Sequence, residues 1–223
     1  MKRKNTLPFW GHHILENVGA ICALAIALDI VSFLMSYDEI DGGIVLFFRV
    51  SLPAYILAGA TFWMFIYVLG FFKTYYPVVL SFQACRSRIH REMAFSFLAT
   101  DLVLFLIMTG VLLILSRLGV EDALIVGVES MGLILIAEGF SLAFAVLYVR
   151  YGKVGGVICG LAGALFGGVV GAYMASGNTL FSGFMEHIIS WASAGIIVGA
   201  GIGVFLVGTV VMHLVFRKAQ LYI

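Results

Sequence analysis

Five ionisable side chains stand well inside apolar stretches: Asp29, Arg49, Asp101, Glu129 and Glu138. A charge at such a depth is costly. It marks a neutralised pair, a protonated carboxyl or a water-lined path. Asp29, Arg49 and Glu129 fall at similar depths, near one end of their runs, when each residue counts about 1.5 Å of helix. A pair or triad among them is expected. Asp101 and Glu138 lie deeper, at roughly matching heights in the other half. One reading of these groups is a structural pair that fixes helix register. The other is a substrate path, where four acids against one arginine would suit a cationic or amphipathic peptide.

Other chemistry finds less support. A serine nucleophile in the membrane needs a Gly-x-Ser-Gly turn and a histidine base. Gly139-Phe140-Ser141 is followed by Leu142, and His213 is the one candidate base on the last run. His12, His13, His90, His187 and His213 form no H-x-x-x-H spacing, and interfacial polar roles are expected for them. Cys22, Cys85 and Cys159 match neither a disulfide framework nor a metal site. A phosphate-cradling loop needs G-x-x-x-x-G-K-[ST]. The Gly152-Lys153 pair is followed by Val154 and lacks that cradle. No catalytic residue, metal or cofactor is therefore expected on this chain. Any ATP and magnesium would sit on a partner.

The elements that must position these groups follow from composition. The chain is 62% hydrophobic and 11% charged over 223 residues. A soluble domain is roughly half apolar and a quarter charged, so lipid must be the solvent. Six apolar runs are long enough to span: Ile14–Tyr37, Ile44–Phe72, Ala94–Ser116, Ala123–Val149, Val154–Ala175 and Trp191–Phe216. The reading is an all-α membrane protein with six transmembrane helices in one domain, 1–223. The first run, Val18 to Ser36, exceeds a signal-peptide core and is followed by no small-residue cleavage site.

Basic residues near span ends stay on the cytoplasmic side. Lys2, Arg3 and Lys4, then Lys73, Arg86, Arg88 and Arg91, then Arg150 and Lys153, then Arg217 and Lys218 all fall on one side of six spans. The other side has Arg49 and Arg117 at its margins and the acids Asp38, Glu39, Asp41, Glu121, Asp122 and Glu186. Both termini are expected in the cytoplasm.

The largest interior loop is then "YYPVVLSFQACRSRIHR", Tyr75 to Arg91. Tyr75 and Tyr76 suit the interface. Pro77 is expected to end the second span and open a short interfacial helix carrying Val78, Val79 and Phe82, with Leu80 near that face. Ser81 and Gln83 face elsewhere. The arginines follow, and the third span begins near Met93. Such a patch either anchors on anionic lipid or docks a cytoplasmic partner.

The run "YPVVLSFQACRSRIHREMAF" resembles the segment between the second and third spans of small bacterial ABC-transporter permeases of the bacteriocin- and lantibiotic-immunity type. Leu80, Ser81, Phe82, Ala84 and Arg86 match the pattern there. Gln83 replaces a common glycine, and Cys85 a common Thr or Ser. "YVRYGKVG", Tyr148 to Gly155, and "FRKAQL", Phe216 to Leu221, are similar to the fourth-to-fifth loop and the tail. The resemblance implies a six-helix exporter subunit in a bacterial cytoplasmic membrane. The loop would be its coupling helix, seated on a separate ATP-binding subunit through Pro77, Leu80, Ser81, Phe82, Arg86 and Arg88. It also implies a second permease subunit, identical or related, and a re-entrant hairpin over Ser176 to Ser190. No nucleic-acid partner is expected.

Small residues at four-residue spacing allow close packing in lipid. Gly156, Gly160, Ala164, Gly168 and Ala172 form one ridge on the fifth run, and Gly163, Gly167, Gly171 and Ala175 another. Gly195, Gly199 and Gly203 form one on the sixth. Packing of these two spans on each other is expected. The resemblance adds a dimer contact through the first and fifth spans. Two other transport classes remain open. A proton-coupled carrier would use the buried acids, and the substrate-binding membrane subunit of a vitamin importer also has six spans.

Overall fold

In hydrocarbon a backbone N–H or C=O has no water to bond, so a long apolar run satisfies itself as a helix. The computed structural model describes residues 7–35, 44–81, 86–115, 117–152, 154–158, 160–161 and 191–218. It contains five long helices: α1 (Leu7–Met35), α2 (Ile44–Ser81), α3 (Arg86–Ile114), α4 (Val120–Tyr151) and α5 (Trp191–Lys218). Each holds a segment long and apolar enough to cross a bilayer: Trp10–Met35, Ser51–Phe72, Ile89–Ile114, Val120–Tyr148 and Ala192–Val215. The chain is a multi-pass, all-helical membrane protein. Of the expected fifth span, residues 154–158 and 160–161 are helical, and the remainder lies outside the described residues. So do Phe82 and the expected hairpin, Ser176 to Ser190.

The expected break at Pro77 is not present. α2 is a continuous helix of 38 residues that ends at Ser81. The segment from Pro77 to Ser81 is thus the distal end of α2 rather than a separate element. Proline's ring fixes φ near the helical value, so the chain beyond it can keep helical geometry while losing one hydrogen bond. α4 ends differently. Gly152 has φ 55°, the left-handed region, and its N–H donates to the Tyr148 carbonyl at 2.9 Å. Glycine accepts that conformation without a Cβ clash. Glu121 and Asp122 sit in the first turn of α4, where negative charge opposes the positive end of the helix dipole.

α4 is the central element. It packs most extensively against α5 and also meets α2 and α3, while α1 lies against α2 and α3. Contact pairs give the directions. Asn17 meets Trp63 and Asp29 meets Ser51, so α1 and α2 are antiparallel. Asp101 faces Glu138, while a Cβ on Gly127 would touch Thr109, so α3 and α4 are antiparallel. α4 and α5 run parallel: Glu129 meets Ser193, Gly132 meets Ile197, and Gly139 meets Val204.

That parallel contact is made backbone to backbone. A Cβ on Gly139 would stand 2.6 Å from the Val204 carbonyl, and one on Gly201 would stand 2.5 Å from the Gly132 oxygen. Gly208 sits against Gly139 in the same way. Small residues permit this approach, and dispersion across the contact holds helices together where no hydrophobic drive exists between them. The core beside it is bulky: Met64, Phe71, Phe72, Phe97, Leu135 and Leu142 are fully or almost fully buried. Large apolar side chains cover the outside instead, including Leu15, Phe62, Phe95, Leu106, Ile196 and Val207. Water would not tolerate that surface, and lipid tails match it.

Gly139→Ala should therefore destabilise the protein, by about 1–3 kcal/mol as overpacking typically does. Gly70→Ala, where an added Cβ meets nothing within 4 Å, should not. Thermal melting of both variants in detergent tests this. Equal melting temperatures would contradict the close α4–α5 contact.

Candidate functional site

The deepest polar feature is a pair of carboxyl groups between α3 and α4. Asp101 and Glu138 are each fully buried. Their carboxyls lie within electrostatic reach of one another. Apart from one another, the four oxygens have no hydrogen-bond partner among the described residues. Matched heights on antiparallel helices bring them together, as the counting of residues from the run ends anticipates. The neighbouring hydroxyls are committed elsewhere. Thr100 donates to the Ser96 carbonyl at 2.9 Å and Ser141 to the Ala137 carbonyl at 2.7 Å. One turn away lies a narrow apolar cleft between α2, α3 and α4, bordered by Ile56, Ala60, Leu104, Met108 and Ile134, with Ser130 its one polar residue.

Of the expected group Asp29, Arg49 and Glu129, the two carboxyls each show a serine partner. Asp29 Oδ1 accepts from Ser51 Oγ on α2, and its buried Oδ2 has no hydrogen-bond partner among the described residues. Ser32 and Tyr55 share a hydrogen bond one turn away. Glu129 Oε1 accepts from Ser193 Oγ on α5 at 3.0 Å. The partner each carboxyl shows is thus a serine hydroxyl. Serines read as neutral packing residues in a sequence, so these partners carry no signal of their own. Arg49 is half-buried near the start of α2.

The opposite end of the bundle gathers histidines and aromatics. His90 Nδ1 and His213 Nδ1 are 3.1 Å apart, joining the start of α3 to the end of α5 across 123 residues of sequence. One ring must donate and the other accept, so the two tautomers are linked. Trp10 Nε1 donates to Glu92 Oε2 at 2.9 Å, tying α1 to α3. Trp10 also packs against Phe71, and His13 against Tyr67. Sequence reasoning placed all the histidines as interfacial polar residues and missed the His90–His213 pair. It also missed buried Asn17, whose Oδ1 accepts from Trp63 Nε1 at 3.0 Å. An asparagine inside an apolar run was the available signal.

Of the expected coupling residues, Pro77, Leu80 and Ser81 lie in the last turns of α2, and Arg86 and Arg88 in the first turn of α3. These stand at the same end as His90 and His213. Ser141 and His213 each show other partners, Ala137 and His90, and are not brought together as a nucleophile and base. The expected glycine contacts are distributed unevenly. Gly195, Gly199 and Gly203 have nothing within 4 Å among the described residues, and most of the fifth run they are expected to meet lies outside those residues. The close contact of α5 with α4 runs through Gly201 and Gly208, which the four-residue ridge did not include. Gly156 abuts the Tyr148 ring, Gly160 is exposed, and Gly163 and Gly167 lie outside the described residues. No three His, Cys, Asp or Glu side chains gather as metal ligands among the described residues.

The His90–His213 contact should show as energetic coupling. His90→Ala and His213→Ala should each destabilise the protein, and the double variant should lose about 1 kcal/mol less than their sum, a usual hydrogen-bond contribution. Strictly additive melting data would refute the pairing.

No protein-family model matches the chain, and neither a curated protein nor a solved structure matches it. The arrangement of its own side chains, together with the loop resemblance, is what bears on function.

Proposed function

We propose that the chain is the membrane-spanning permease subunit of an ATP-driven exporter, moving a hydrophobic or amphipathic compound such as a peptide. A separate ATP-binding subunit supplies the energy, and a second permease subunit completes the assembly in a bacterial-type cytoplasmic membrane. The observation that carries this reading is the shape of the basic end. α2 leaves its apolar span at Phe72 and continues as helix to Ser81, about 13 Å further. The chain then returns into α3 at Arg86. A helix end that runs past the apolar span, apolar along Val78–Leu80 and followed in sequence by arginines, suits a pocket with an acidic rim on a soluble partner. It coincides with the segment that resembles the coupling loop of the immunity-type permeases.

Six crossings with both ends in the cytoplasm are part of the proposal. What supports them is the parallel packing of α4 and α5. Spans α1 to α4 alternate in direction, so two parallel helices that follow one another need an odd number of crossings between them. The connecting residues 152–190 include Val154–Ala175, an apolar run of about 33 Å as a helix, enough for one crossing. The starts of α1 and α3 and the ends of α2, α4 and α5 then share one side. The basic residues Arg86, Arg88, Arg150, Arg217 and Lys218 belong to that side, as the positive-inside rule requires.

Affinity purification of the chain from its native membrane should bring down a soluble ATPase. Phe82→Ala or Arg86→Glu should leave assembly intact while cutting substrate-stimulated ATP hydrolysis at least tenfold. Full coupling in both variants would remove this segment from the mechanism. A cysteine at position 87 should react with an impermeant thiol reagent only from the cytoplasmic side, and one at position 122 only from the other. The reverse pattern would overturn the orientation.

A further inference from the structure

We infer that Asp101 and Glu138 form a proton-binding pair inside the span bundle, holding at least one proton between their carboxyls at neutral pH. The inference stands on burial, geometry and the distribution of charge, and does not depend on coupling to an ATPase. Both side chains are fully buried and face one another, and beyond each other their four oxygens have no hydrogen-bond partner among the described residues. Two bare carboxylates buried side by side would repel, since burial strips the solvation that offsets like charge.

No basic residue of this chain can neutralise them. All thirteen Lys and Arg residues lie at positions 2–4, 49, 73, 86, 88, 91, 117, 150, 153, 217 and 218, and none lies within nine residues of Asp101 or Glu138 along the chain. Between 50 and 72, 92 and 116, 118 and 149, and 154 and 216 there is none. A neighbouring subunit cannot supply one either, because neither carboxyl reaches the protein surface.

The titratable groups on the helices around the pair are few. α1 carries His12, His13 and Glu16 near one end, then Cys22 and Asp29; α2 carries Tyr55 and Tyr67 within its span. α5 has no titratable residue between Trp191 and His213. His90 lies eleven residues from Asp101 along α3, about 16 Å away. It is engaged with His213, at the same end of the bundle. Glu129 lies nine residues from Glu138 along α4, about 13 Å away, and is held by Ser193. What balances the pair must therefore come from outside the chain.

A proton fits better than a metal ion. An alkali or alkaline-earth cation takes about six or more oxygen ligands. The hydroxyls nearest in sequence, on Thr100 and Ser141, point their protons to helix carbonyls, and the adjacent cleft is apolar apart from Ser130. A shared proton needs no further ligand. It turns two mutually repelling acceptors into a donor and an acceptor across the α3–α4 contact.

Infrared spectroscopy of the purified protein in phosphatidylcholine–phosphatidylglycerol vesicles tests this directly. At neutral pH the wild type should show a carboxylic-acid C=O stretch, absent from carboxylates, that shifts in heavy water. Asp101→Asn/Glu138→Gln should lose it, whereas Asp29→Asn should leave the difference spectrum between wild type and the double variant unchanged. Glu138→Gln alone gives the same readout with smaller amplitude if the double variant yields too little folded protein. Identical carboxylic-acid bands in wild type and variants would overturn the inference. So would a wild type without the band whose melting temperature rises with sodium in a way the variants do not share, since the ligand would then be a metal cation.

Discussion

The contact between α4 and α5 sets the geometry on which the other packing depends. At Gly139 and Gly208 the two backbones approach until a single methyl group would collide with the opposite chain. Lipid offers no hydrophobic drive for helices to associate, so attraction comes from many small dispersion terms over a closely fitted surface. Glycine supplies the fit. With α5 locked along one side of α4, other sides of α4 meet α2 and α3. Phe71, Phe97, Leu135 and Leu142 then fill the space among these helices.

The parallel direction of that contact has consequences for charge. It puts the end of α5 beside the start of α3, where His213 meets His90. It also gathers the basic helix ends on one side and leaves the acids Glu121 and Asp122 on the other. Charges are cheap there, where water and lipid headgroups solvate them. In the middle they are expensive, and the molecule handles its interior acids in two ways. Asp29 and Glu129, nearer one end, each accept a serine hydroxyl from a neighbouring helix. Asp101 and Glu138, deeper, have only each other among the described residues. A bundle that kept this pair for register alone could have used apolar residues at lower cost.

Sequence reading and structure agree where one dimension is enough. The second, fourth and last runs, Ile44–Phe72, Ala123–Val149 and Trp191–Phe216, contain or nearly match the spans Ser51–Phe72, Val120–Tyr148 and Ala192–Val215. Bilayer thickness and rise per residue fix such lengths without reference to neighbours. The same counting put Asp101 and Glu138 at one height. It failed at Pro77, where a local preference to end the helix was outweighed in the continuous α2. For Asp29 and Glu129 it gave a shared depth but not their serine partners, Ser51 and Ser193, because depth says nothing about which sides of the helices face each other.

What the amino-acid order determined by itself was the solvent, the helical class and the five described segments long and apolar enough to span. All of these depend on composition and distance along the chain. Tertiary structure decided the rotations of the helices about their axes. Those rotations put Gly201 and Gly208, rather than Gly195, Gly199 and Gly203, against α4. They gave Ser51 and Ser193 to the acids and paired histidines 123 residues apart. Rotation is set by the fit of surfaces from several helices at once, and these helices, apolar nearly all round, carry little internal mark of which face turns inward.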